Sequence, residues 1–190
     1  MGITFLDRWL GRSGKPALKS ATEPRAANPE DAESQFNLGR RFADGNGAVQ
    51  NDVQAAEWYL KAAGQGHCLA QFNLGLMYGQ GQGVRRDEAT ARMWLRKAAE
   101  LGHAGAQYRV GLKQHCASKS GQPPETSECR IEAFMWLQLA VAQGERDAES
   151  AREFVTLGMT REEVAEGGRR AVTFAAGQAK PIQVITVLPT

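Results

Sequence analysis

The side chains able to do covalent or metal chemistry are few and scattered. The chain holds three histidines (His67, His103 and His115) and three cysteines (Cys68, Cys116 and Cys129). His115, Cys116 and Cys129 are the one His/Cys cluster that could offer ligands to zinc, but neither C-x-x-C nor H-x₃-H spacing is present. Cys116 and Cys129 could instead pair across the stretch between them in an oxidising compartment, a closure that stabilises by about 3 kcal/mol in the chain-entropy model. Cys68 reads as a small buried residue. His67 and His103 each follow a glycine, 36 residues apart, where a polar side chain suits the start of a helix. No G-x-S-x-G, P-loop or strand-borne G-x-G-x-x-G is present. The glycine-rich Gly79–Gly83 joins two helical patterns and is poorly placed to cradle a phosphate. The expectation is a chain with no catalytic centre, no metal and no cofactor.

The elements that would position any site are repeats. Ala70, Leu74, Met77 and Tyr78 fall on one helix face, and Ala91, Trp94, Leu95 and Ala98 on another. Between them the glycine-rich turn ends the first helix, and Gly102 sits where a C-terminal cap belongs. The hairpin recurs: Gly39, Gly75 and Gly111 are 36 residues apart, as are Trp58 and Trp94, while Trp136 follows Trp94 by 42. The closing glycines Gly66, Gly102 and Gly144 keep the same 36 and 42. A fixed period of this size marks a solenoid of stacked units. Repeat 1 spans 31–66, repeat 2 spans 67–102, and repeat 3 spans 103–144 with an inserted loop over 115–129. Residues 145–176 predict a degenerate capping hairpin, its second helix opened by a capping box at Thr160–Glu163. Within that helix Gly167 and Gly168 are each expected to cost about 1 kcal/mol relative to Ala. Residues 177–190 form a β-prone tail.

Composition narrows the partners. The net charge is +2, but residues 31–190 hold 18 basic and 18 acidic residues, so the repeat body lacks the basic footprint of a nucleic-acid binder. No apolar run is long enough to span a membrane. Residues 1–30 combine an apolar cluster (Ile3, Phe5, Leu6, Trp9, Leu10) with a flexible Gly/Ser/Pro/Lys linker. The cluster is too short to hold a helix alone and reads as a tail that frays or folds back on repeat 1, with weak membrane-surface tethering as the alternative. It does not resemble a secretory signal. An odd cysteine count argues against a disulfide framework. Together these point to the cytoplasm, or to the periplasm if a native leader is missing.

The pattern A-x-x-x-L-G-x-x-Y-x-x-G-x-G-V-x-x-D followed by A-x-x-W-x-x-K-A-A-x-x-G resembles the Sel-one-like repeat (SLR), a relative of the tetratricopeptide repeat common in bacterial proteins. Repeat 2 carries nearly all of it: Ala70, Leu74, Gly75, Tyr78, Gly81, Gly83, Val84, Asp87, Ala91, Trp94, Lys97, Ala98, Ala99 and Gly102. Repeat 1 matches with one extra residue before Asp52. Repeat 3 departs most, with Gln114 at the aromatic position. The resemblance implies an all-α, right-handed α/α solenoid, a tetratricopeptide-like superhelix, and an interaction scaffold or adaptor for a protein or peptide partner, often linked in bacteria to the cell envelope or host contact. Such solenoids hold partners on a concave face lined by the first helix of each repeat. Helical periodicity then selects Asn37, Arg40, Asn73, Met77, Arg109 and Lys113 as partner-binding residues, with Asp44, Gln80 and Leu112 on the same face. Asn37, Asn73 and Arg109 share one repeat position, and their amides and guanidinium could hold a peptide backbone or a carboxylate or stand simply as solvated polar residues. The alternative is a small-ligand or cell-wall-fragment (β-lactam-like) binder or weak hydrolase. Relatives linked to that role pair cysteines within each repeat, and this chain does not.

Overall fold

A computed structural model describes residues 30–45, 49–118 and 125–178. The expectations placed on the N-terminal apolar cluster and linker, the centre of the insertion and the C-terminal tail lie outside them. Within the described residues the fold is all-α, with eight helices: α1 (Ala32–Asp44), α2 (Asp52–Gly64), α3 (Cys68–Gln80), α4 (Glu88–Glu100), α5 (Ala104–Ser118), α6 (Glu125–Ala142), α7 (Ala148–Thr156) and α8 (Arg161–Gln178). Each helix from α1 to α6 packs on its neighbours in sequence, which makes a helical-repeat solenoid of hairpins α1/α2, α3/α4 and α5/α6.

The periodic small residues explain the hairpin geometry. A Cβ on Gly39 would lie 2.7 Å from the Tyr59 ring, one on Gly75 would lie 2.8 Å from Leu95 Cγ, and one on Gly111 would lie 2.8 Å from Leu137 Cγ. The second helix therefore fits against the first only where the first has no side chain. The alanines Ala62, Ala98 and Ala140 are fully buried at the helix crossings. In the turn of repeat 2, Gly83 (φ +66°) lies against repeat 1, and a Cβ there would be 2.2 Å from the Asp52 carbonyl oxygen. Only glycine satisfies both that backbone conformation and that contact.

The tryptophans tie each hairpin to the one before. Trp94 of repeat 2 joins the cluster of Phe36, Tyr59, Leu74 and Met77, and Trp136 of repeat 3 joins Leu95, Ala98 and Val110. Trp58, with no hairpin before it among the described residues, is only half-buried. Lys61 and Lys97 lie over the Trp58 and Trp94 rings, 4.0 and 4.4 Å from the centroids, a cation–π contact that gives the lysine of the repeat pattern a physical role.

A polar ladder, unforeseen in the sequence, runs through the same hairpins. Gln35, Gln71 and Gln107 stand in one register, and all three are buried. Gln71 and Gln107 donate to the carbonyls of Ala63 and Ala99, each at 3.2 Å. They add a second donor to carbonyls at the ends of α2 and α4, which also accept from the capping-turn amides of Gly66 and Gly102 at 3.0 Å. Gln65 and Gln143 donate in turn to Gln35 and Gln107 at 2.9 and 2.7 Å.

Three expectations are corrected. The insertion is not a loop over 115–129: α5 continues to Ser118 and α6 begins at Glu125. Loop composition does not stop a helix whose neighbour is packed along its length. Repeat 1 has no extra residue before its acidic position either. Asn51 is the N-cap of α2, as Asp87 is of α4, and their amides donate to Phe42 O and Tyr78 O at 2.9 Å in both repeats. Finally, α7 and α8 do not form a hairpin against each other; both pack chiefly on α6. The capping box is formed as the sequence indicates, with Thr160 N–H donating to Glu163 Oε2 at 2.9 Å and Glu163 N–H to Thr160 Oγ1 at 3.2 Å. Glu163 also accepts from Arg130 at 2.7 Å and from Ser127, both on α6. Burial raises its pKa, but the bonds from Arg130, Ser127 and Thr160 outweigh that and hold it below the ordinary carboxyl value.

The adjacent glycines of α8 have different roles. A Cβ on Gly167 would be 2.7 Å from the Phe134 ring and 3.2 Å from Ile131 O, whereas Gly168 has nothing within 4 Å. Gly168→Ala is expected to stabilise the chain by about 0.5–1 kcal/mol, and Gly167→Ala to destabilise it by about 1–2 kcal/mol. Thermal melts of the two variants check the opposite signs.

Candidate functional site

The histidines serve the helices. His67 Nδ1 accepts from Ala70 N–H and His103 Nδ1 from Ala106 N–H, both at 3.2 Å. Their rings stack on Phe36 and Phe72, with centroids 4.5 and 4.1 Å apart. His67 Nε2 also lies 3.0 Å from Glu33 Oε2. Burial lowers the His103 pKa below its ordinary 6.5, with Glu145 pulling the other way. The imidazolium has no lone pair left to cap α5. Below pH about 6.5 the unfolded chain binds a proton that the folded chain resists, so stability falls as pH drops through that value and levels off below the depressed folded pKa. Replacing His103 with Asn, a competent cap, is expected to flatten this part of the stability–pH profile, measured by denaturant melts between pH 5 and 7.5.

His115 packs edge-on to Phe154, with centroids 5.5 Å apart. The thiols of Cys68, Cys116 and Cys129 are free. Burial raises the Cys68 pKa above its ordinary value, which makes it a poor nucleophile. Among the described residues, no three His, Cys, Asp or Glu side chains converge in a way that could hold a metal.

The six predicted partner-binding residues divide. Met77 is buried in the core with Leu74 and Trp94 and is not a surface contact; position 77 lies on the apolar face begun by Ala70 and Leu74, and α2 and α4 close over it. Asn37 donates to Glu33 on its own helix at 3.1 Å. Asn73 is hydrogen-bonded to the Tyr59 hydroxyl, whose pKa burial raises against the effect of that bond. Arg40 is exposed. Arg109 and Lys113 are brought together in a cavity of about 300 Å³ between α4 and α5, lined also by Arg92, Met93, Leu95, Arg96, Val110 and Gln114.

The cavity exists because repeat 3 departs from the pattern. Where α2 meets α3, the equivalent positions carry Ala56, Tyr59, Asn73, Met77 and Tyr78, and Tyr59, Met77 and Tyr78 pack into one core cluster. Where α4 meets α5, Arg92, Leu95, Arg109, Lys113 and Gln114 take their places. A leucine and a glutamine fill less space than two tyrosines, and the lysine turns outward. Arg92, Met93 and Arg96 escaped sequence reasoning because they sit on a second helix. Arg92 and Arg96 at i and i+4, in place of Ala56 and Leu60, were the available signal.

Two of the four cations already have partners. Lys113 Nζ lies 2.9 Å from Glu88, and Arg96 lies 2.8 Å from Glu132. Glu88 is held below the ordinary carboxyl value, chiefly by its hydrogen bond from Lys113 and then by Arg86. Among the described residues, neither Arg92 nor Arg109 has an acidic group within ion-pair distance.

Three stacked hairpins with one tryptophan recurring in each define a helical-repeat solenoid. The Sel1 repeat family model matches residues 32–67, 68–103 and 104–145, more than half of the chain, and the chain belongs to that family. Among solved structures it is similar to a protective antigen present in uropathogenic Escherichia coli strains that displays an SLR fold. That match has a TM-score of 0.63 and 29% identity, covering 78% of this chain and 31% of that one. It is also similar to a Sel1 repeat protein from Oxalobacter formigenes, with a TM-score of 0.59 and 30% identity over 78% of this chain and 58% of that one. The chain thus spans less than two thirds of either. No curated protein matches it. Sel1 repeats generally mediate protein–protein interaction. Among the described residues, no helix is long and apolar enough to cross a membrane.

Proposed function

We propose that this chain is a non-enzymatic protein-interaction scaffold that binds a protein or peptide partner on the face carried by α1, α3 and α5. The observation that carries the reading is the α4/α5 cavity, where Arg109 and Lys113 from that face meet an apolar floor. The recurring glycines, tryptophans and glutamines, by contrast, are committed to packing or to hydrogen bonds within the array. Of the residues on these helices, Arg40, Arg109 and Lys113 are exposed to a partner, whereas Asn37 and Asn73 are already bonded to Glu33 and Tyr59. Three repeats make a short surface, which suits modest affinity.

Affinity capture from extract of the source cell tests this. Wild type is compared with the double variant Arg40→Glu, Arg109→Glu and with Leu157→Glu, a change at a residue 85% exposed on the far helix α7 side. A partner retained by wild type and by Leu157→Glu, and lost by the double variant, supports the reading. Retention by all three moves the site elsewhere, and no partner with any form contradicts a scaffold role.

A further inference from the structure

We propose that the α4/α5 cavity is a clamp for an acidic peptide segment of the partner, an inference that rests on the scaffold reading and gives it a chemistry. Arg92 and Arg109 grip Asp or Glu carboxylates, and Leu95, Val110 and the exposed part of Met93 take an adjoining apolar side chain.

Unbalanced positive charge surrounds a shaped, partly apolar hollow. Arg92, Arg96, Arg109 and Lys113 all line it. The repeat body is neutral overall, so this concentration of cations is local. Glu132 holds Arg96 and Glu88 holds Lys113, which fixes the rim while leaving Arg92 and Arg109 unpaired among the described residues. Guanidinium is the group best suited to carboxylates, since its planar fork donates two parallel hydrogen bonds. The floor excludes water on one side and strengthens those bonds over fully solvated ones. The equivalent position between α2 and α3 is filled by Tyr59, Met77 and Tyr78, and the arginines at the hollows beside α7 and α8, Arg152, Arg169 and Arg170, are already paired with Glu149, Glu166 and Glu128. A peptide fits better than a nucleic acid because no basic track leads away from the cavity along the neutral repeat body. It fits better than a free dicarboxylate because the apolar floor would gain nothing from one.

The test begins with selection of random dodecapeptides displayed on phage against the immobilised chain. The enriched peptide, rhodamine-labelled, is then titrated by fluorescence anisotropy alongside its isostere with Asp and Glu changed to Asn and Gln. The expected result is enrichment of Asp or Glu next to Leu, Ile or Phe. The isostere is expected to bind at least about tenfold more weakly, as is the acidic peptide to Arg92→Gln, Arg109→Gln. Affinity should fall as salt rises, and Arg146→Gln, between α6 and α7, should leave it unchanged. Melting curves verify that each variant folds. Enrichment of neutral or basic peptides, no enrichment, or equal binding by the Arg92→Gln, Arg109→Gln variant overturns the clamp. So does displacement of the peptide by millimolar succinate or by a ten-uridine RNA at lower concentration than by unlabelled peptide. Failure of the clamp is separable from failure of the scaffold: a partner captured from extract equally by wild type and by Arg92→Gln, Arg109→Gln removes the first and leaves the second.

Discussion

Trp136→Ala is expected to lower stability by about 3–5 kcal/mol, the usual cost of emptying a fully buried aromatic site. Trp136 is 2% exposed. Its indole meets Phe174 of α8 edge-on at 5.2 Å, packs with Leu95 and Ala98 of α4, and donates from Nε1 to Glu132 at 3.4 Å. One side chain therefore joins repeat 2, repeat 3 and the closing helix. In a solenoid, where each unit contacts only its neighbours, losing such a joint weakens two interfaces at once. For a chain of this size the melting temperature should fall by about 10 °C. Trp58→Ala removes a half-buried side chain with nothing before it among the described residues, so the expected loss there is about 1–2 kcal/mol. Circular-dichroism melts of both variants check this; equal losses would show that the tryptophans do not couple successive hairpins.

Gly75→Val is expected to cost about 3 kcal/mol or more. The added Cβ alone would lie 2.8 Å from Leu95 Cγ and 3.2 Å from Leu95 N. The first contact could be relieved by a rotamer change, but the second is with backbone, so α4 must move away from α3. That movement would also disturb Leu95 on the floor of the α4/α5 cavity. A denaturant titration should show a lower midpoint, with peptide binding weakened even where the variant is folded. A midpoint within about 0.5 kcal/mol of wild type would mean that the helices are less closely packed than described.

Much of this was legible in the sequence because the packing residues repeat. Gly39, Gly75 and Gly111 and the tryptophans recur at a fixed spacing, and a period survives where single propensities are ambiguous. The site was less legible. Arg109 and Lys113 were placed by helical periodicity, yet the same periodicity put Met77 on the surface. Periodicity gives direction around a helix, not whether a neighbouring helix covers that direction. Arg92 and Arg96 were invisible for a related reason: a charged pair on a second helix reads as a solvated face until the adjacent repeat is seen to leave a hollow beside it. The buried glutamines share a register directly before each F-N-L-G-type motif, but a polar side chain's burial shows only once the carbonyl it serves is seen beside it.

The most direct measurement of where a partner sits is photo-cross-linking from two positions in extract of the source cell. Benzoylphenylalanine would replace Met93, on the cavity rim, or Leu157, the exposed residue of the α7 end. A scaffold that works through the α4/α5 groove predicts a discrete cross-linked species from position 93, absent from position 157 and suppressed by Arg109→Glu. Cross-links from position 157 alone, or none from position 93, would contradict it.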